Sequence, residues 1–255
     1  MKDSVNTNWS QLAASLASSL QLAQASVAVS FVDHPPCGVP AYADRAPAGC
    51  RFWQEAAADA FYTSASDHSM CAVGSFTHNF KISPAESAEL RDCLTIFDSL
   101  GYVQPADVPM IPVLQRQPEY VVYAPLTQSP VPPDVVLLFS DASQALLVSE
   151  AAQQVERKMP PAMGRPACAV VSQVVNTGRA ALSLGCCGAR AYMEAFAPNL
   201  ILFALPGANL AAYVQRIVTL GAANATLTRF HQQRAKDIAS GAAPTIQQSL
   251  IAISG

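Results

Sequence analysis

The sequence predicts an α/β domain made of two similar halves around a mixed, largely covered sheet. Three observations carry that prediction. Short β-prone apolar runs alternate with capped, amphipathic helical segments along the 255 residues. One run, Val135-Val-Leu-Leu-Phe139, is uninterrupted, which suits a strand buried on both faces at the centre of a sheet. The order of events in the first half of the chain also recurs in the second. A hydrophobic fraction of 51% with only 13% charged residues fits a chain with a large core and little polar surface.

In chain order, Asn8 caps a helix whose apolar stripe is Leu12, Leu16 and Leu20. Val27-Ala-Val-Ser-Phe31 is the first strand, and a proline-rich loop runs from His34 to Pro47. Cys50 opens a helical stretch, Arg51 to Ala60. Phe61-Tyr-Thr-Ser-Ala65 is β-prone and ends in a polar turn, Ser66-Asp67-His68-Ser69, ahead of Cys71. Ser83-Pro84-Ala85-Glu86 reads as a capping box with a first-turn proline, before Leu90, Leu94 and Phe97; Gly101 closes that helix. Tyr120-Val-Val-Tyr123 precedes the Val135–Phe139 strand. Asp141, with Gln144 three residues on, caps a helix to Arg157. Met159 to Pro166 is a loop with three prolines, Cys168 to Val175 a helix stopped at Gly178, and Ala181 to Leu184 a strand. Asn199 to Ala204 is a strand, and Asn209 to Leu220 a helix with Gly221 beyond its end. A more polar outer helix covers Ala222 to Ala239. The domain is one unit, 1–255, with possible half-repeats at 26–125 and 126–221 and the outer helix at 222–239.

Charge and composition narrow the function. A formal net charge of −3 supplies no electrostatic pull towards nucleic acid or an anionic membrane. No run of about 18 apolar residues spans a bilayer. Lys2 beside Asp3 makes a poor basic leader region, so the expectation is a cytoplasmic protein. Seven cysteines, an odd number, suit reduced thiols or ligands better than a disulfide framework.

The recurrence concerns those cysteines. Cys50 starts a helix, a strand follows, and Cys71 precedes Gly74. Cys168 starts a helix, a strand follows, and Cys186 precedes Gly188. A diverged duplication of this unit would gather four thiols across a pseudo-twofold, with Cys50 and Cys168 near helix N-termini that favour thiolate. Four thiolates suit an iron–sulfur cluster or zinc. The wide spacing is unlike a zinc ribbon, which uses close pairs. Free cysteine packed as a small hydrophobe is the competing reading, and it is the one adopted for Cys93. The strand 181–184 runs into a turn flanked by Gly185 and Gly188, which carries Cys186, Cys187 and Arg190. Arg190 is either a clamp for a carboxylate or phosphate or the partner of Glu194. His68, beside Asp67, is a ligand or proton donor in the site, or else a polar loop residue.

The segments Phe61–Gly74, Tyr120–Leu126, Pro133–Phe139, Ala167-Cys168 and Leu184–Arg190, with Cys50, resemble the family catalogued as domain of unknown function 169. The resemblance implies that Cys50, Cys71, Cys168 and Cys186 correspond to the family's cysteine positions. It implies no activity. Cys187, Cys37 and Cys93 are additions to that pattern.

The expectation that follows is a metalloprotein holding an iron–sulfur cluster, 4Fe–4S in type, through Cys50, Cys71, Cys168 and Cys186. Its role would be in redox or substrate activation, with Asp67, His68, Cys187 and Arg190 as substrate-binding or supporting residues. Two alternatives stand beside it: a non-catalytic module binding a small anion, its cysteines merely packed, and a structural zinc protein. Partners would be a small-molecule substrate or redox partner and a further copy of the chain. Whether the chain is catalytic does not follow from the sequence.

Overall fold

The computed structural model describes residues 8–163 and 166–253. Lys2 and Asp3, and residues 164–165 of the Met159–Pro166 loop, lie outside that range.

Among the described residues seven strands form one mixed sheet: β1 (Val27–Val32), β2 (Phe61–Ser64), β3 (Tyr120–Pro125), β4 (Val135–Ser140), β5 (Ala162–Met163), β6 (Ala181–Ser183) and β7 (Ile201–Pro206). Their order is β2-β3-β1-β4-β7-β6-β5. Every pairing is antiparallel except β5 with β6. The order reads alike outward from the central β1–β4 pair: β1-β3-β2 on one side mirrors β4-β7-β6 on the other. That is the arrangement two similar halves require. Descent of the halves from one duplicated unit stays an expectation.

Alternation along the strands divides the core. Val27, Val29, Phe31, Val135, Leu137 and Phe139 face one side with Leu202 and Ala204. Ala28, Val136, Leu138, Phe203 and Leu205 face the other. The second side is covered by α1 (Trp9–Leu20), α5 (Ala142–Glu156) and α8 (Leu210–Ala239), through Leu16, Val148 and Ile217. The first is covered by α2 (Arg51–Glu55), α3 (Ala72–Thr77), α6 (Ala169–Thr177) and α7 (Cys187–Tyr192). Over α3 lies α4 (Pro84–Ser99), none of whose residues is fully buried.

The local chemistry explains the helix starts. Asn8 accepts from Gln11 N–H, and Ser83 and Glu86 close a reciprocal box at α4. Asp141 and Gln144 do the same at α5. Three expectations are corrected. The helix after Cys50 ends at Glu55, not Ala60. Gly221 does not end a helix, because α8 runs through it for 30 residues. One glycine costs a helix only about 1 kcal/mol, and packing of α8 on α1 and α5 outweighs that. The polar outer segment is therefore the second half of α8, followed by α9 (Ile246–Ala252), which the sequence pattern did not announce. No described helix is long and apolar enough to cross a membrane.

Candidate functional site

Four helices on one side of the sheet each begin at a cysteine: Cys50 before α2, Cys71 before α3, Cys168 before α6 and Cys186 before α7. They match in the pairs that the recurrence requires. Cys50 (φ −67°, ψ −20°) and Cys168 (φ −66°, ψ −21°) share one backbone conformation, and neither sulfur caps its helix. Cys71 and Cys186 leave the helical region, and their sulfurs accept from Gly74 N–H at 3.3 Å and Ala189 N–H at 3.5 Å.

All four line one cavity of about 830 Å³, and so do Cys93 of α4 and Cys187. The sequence reading of Cys93 as core is thus corrected: it is half-buried on the cavity wall. Val73, Leu94, Phe97, Met110 and Met163 supply much of the remaining surface. Glu89 and Asp107 are the carboxylates. No described lining residue is Lys, Arg or His.

Convergence on a cavity is not coordination. Among the described residues, no group of three or more His, Cys, Asp and Glu side chains is disposed to hold a metal ion. The iron–sulfur reading is overturned by that finding, and the structural-zinc alternative fails with it. The physical reason lies in what each sulfur faces. Cys71 and Cys186 Sγ are turned into their own helix caps, and Cys168 Sγ accepts the Thr77 hydroxyl at 3.2 Å. All seven cysteines are free thiols.

The thiol environment corrects a further expectation. Helix starts favour thiolate, but desolvation acts the other way, and here it wins. Burial, followed by the neighbouring Cys71 and Cys186, pushes the Cys50 thiol up to about 12 against the lowering by backbone N–H groups. Burial likewise raises Cys71, which accepts from Gly49 and Gly74 N–H, and raises Cys168 and Cys93.

The supporting residues fall elsewhere. Asp67 Oδ2 accepts from Ser64 N–H at 2.7 Å and from the Ser64 hydroxyl at 2.9 Å, so it holds the 3₁₀ turn Ala65–His68. Cys187 is exposed at the cavity. Arg190 neither lines the cavity nor pairs with Glu194. Its guanidinium donates to the carbonyls of Ala197 (2.7 Å), Leu184 (2.7 Å) and Leu200 (3.1 Å) and lies 4.5 Å from the centre of the Phe196 ring. Gly185 (φ +86°) permits this, since a Cβ there would crowd both Arg190 and Phe196. Those bonds commit Arg190 to the turn, so the anion-clamp alternative loses its cation.

His68 is a core residue, 1% exposed, and not a polar loop histidine. It packs against Phe52 and Phe80, with ring centres 4.8 and 4.7 Å away, and near His78 at 5.7 Å. Burial lowers its pKa well below the usual histidine value, and His78 adds to that. Burial takes His78 down to about 4. The sequence reading passed over His78 and Tyr123. Tyr123 sits in an apolar strand run that gives no sign that its hydroxyl ends near the sulfurs of Cys168, Cys71 and Cys50, all of which raise its pKa after burial does.

Comparison with protein families matches residues 15–216 to the one described as uncharacterised ArCR, DUF169. No curated protein and no solved structure matches the chain.

Proposed function

Since this chain belongs to the domain of unknown function 169 family, whose description assigns no activity, we propose its function from the cavity: it binds a small, predominantly apolar molecule that carries no negative charge. The observation that carries the proposal is the lining of the 830 Å³ space. Thiols, methionines, aromatic rings and small apolar residues line it, and its described charged groups are the carboxylates of Glu89 and Asp107, which disfavour an anionic ligand. Sites for small molecules are concave and mostly apolar, with few polar groups to fix orientation. Sulfur side chains suit such a wall because they are polarizable and adapt to irregular shapes.

Thiol catalysis is supported less well. A nucleophilic cysteine needs a thiolate, and burial holds Cys50, Cys71, Cys93 and Cys168 protonated near neutral pH. Binding without chemistry asks nothing of these groups beyond shape and polarizability.

The test is fluorescence titration of the reduced protein with Nile red, a neutral apolar dye, against the wild type and Gly188→Phe. Gly188 lines the cavity, and a Cβ there meets only the Tyr192 ring, at 3.8 Å. Wild type should show saturable one-to-one binding with blue-shifted emission. The variant should melt within a few degrees of wild type and lose the binding. The anionic dye anilinonaphthalene sulfonate should bind more weakly than Nile red. Non-saturable binding, or binding unchanged in Gly188→Phe, refutes the proposal.

A further inference from the structure

Behind the cavity wall, His68 Nδ1, His78 Nε2 and Tyr123 Oη are buried without a hydrogen-bond partner among the described residues. Trp53 Nε1 is a fourth such atom in the same core. Native interiors pair nearly all such groups, because an unpaired one forfeits its hydration for nothing in return.

Thr63 Oγ1 donates its one proton to the Val121 carbonyl at 3.4 Å. We assign its 3.0 Å contact with His68 Nε2 as one it accepts, with Nε2–H as the donor, the tautomer that gives the hydroxyl both an acceptor and a donor partner. The neutral ring then carries its lone pair on Nδ1, which wants a donor. Gly49 belongs to the cavity lining and stands in front of that atom. A Cβ on Gly49 would meet His68 Nδ1 at 3.2 Å and Cε1 at 3.5 Å, with no other non-neighbouring atom inside 4 Å. The missing side chain thus leaves a gap between the wall and an unpaired acceptor.

We infer that the ligand carries a neutral hydrogen-bond donor, a hydroxyl or N–H on an otherwise apolar frame. His68 Nδ1 accepts that donor through the gap at Gly49. The inference rests on the proposed binding function and adds the ligand's chemical class and its polar anchor.

Two probes of one shape separate the possibilities: 2-naphthol, which has a donor, and 2-methoxynaphthalene, which has none. By titration calorimetry on the full chain, 2-naphthol should bind about tenfold more tightly to wild type, the scale of one net hydrogen bond. Gly49→Ala, which fills the gap, and His68→Phe, which removes the acceptor, should bring the two probes to parity. Should both variants fail to fold, the ¹⁵N resonance of His68 Nδ1 in the wild-type protein decides: it should shift on adding 2-naphthol and stay put with 2-methoxynaphthalene. Equal affinities in wild type, a preference surviving in both variants, or an unmoved Nδ1 resonance overturns the inference while leaving the cavity as a binding site. Binding of neither probe overturns the proposed function as well.

Discussion

Acid should unfold this protein through His78. The ring is buried, its Nδ1 donates to the Gly74 carbonyl at 2.8 Å, and its neighbours are Phe31, Phe80 and the equally buried His68. In the folded state burial lowers its pKa from 6.5 to about 4. The unfolded chain takes up the proton near 6.5, so between those values the unfolded state holds one proton more and stability falls as pH falls. Each pKa unit is worth about 1.4 kcal/mol, so this one group removes about 3 kcal/mol between pH 7 and pH 4. That is a large part of a typical domain's 5–15 kcal/mol or so. His68 acts in the same direction, through burial first and then its proximity to His78. The assay is urea unfolding of reduced protein at a series of pH values, comparing wild type with His78→Asn. Asparagine keeps a donor near the Nδ1 position and does not titrate. Acid should cost wild type about 3 kcal/mol more than the variant, and parallel stability curves would refute the account of His78 as a buried neutral ring.

Further outcomes follow from other contacts. Arg190→Lys should lower stability by about 2 kcal/mol, read by thermal melting, since lysine can neither fork to three carbonyls nor stack on Phe196. Wild-type melting in that variant would restore Arg190 as a residue free for other work. Gly207→Ala should cost about 3 kcal/mol or prevent folding, because its Cβ would overlap the Pro133 carbonyl; soluble yield and a melt measure it. With iodoacetamide at pH 8, mass spectrometry should find Cys37 and Cys187 modified first, because they are exposed, and Cys50 and Cys168 more slowly, because burial raises their thiol pKa values. Equal rates for Cys37 and Cys50 would contradict the burial described.

What could be read from the sequence was local or periodic. The reciprocal caps Ser83/Glu86 and Asp141/Gln144 are chemistry within four residues, and both form. The apolar run Val135–Phe139 is the buried strand it resembles. The two-residue β5 had no such signal, since its pairing with β6 is decided by tertiary position alone. Gly221 misled because glycine marks a helix end by local preference, while α8 is fixed along its first half by Leu210, Tyr213, Val214 and Ile217 in the core. His68 looked polar from Ser66-Asp67-His68-Ser69. Its burial depends on β2 pairing with β3, which brings Thr63 opposite Val121 and sets Tyr123 in the same core as His68.

The cysteines divide the same way. Their meeting is expected from the recurrence of a cysteine ahead of each helix, and all four line one cavity. Their failure to form a ligand set could not be read there, because it turns on where each sulfur points after its cap is satisfied. Ionisation follows a similar contest. Each helix start offers backbone N–H groups that favour a thiolate, as Cys50 and Arg51 do for the Cys50 sulfur. Gathering the thiols opposes this twice at Cys50, Cys71 and Cys168: the shared apolar wall strips water from them, and a neighbouring thiolate raises them further. Cys168 feels Cys71, Cys186 and Cys50 in this way, after the larger effect of burial, against a lowering from the Thr77 hydroxyl bond. Proximity therefore suppresses ionisation in this cavity, and the thiols serve as polarizable apolar surface facing whatever the cavity holds.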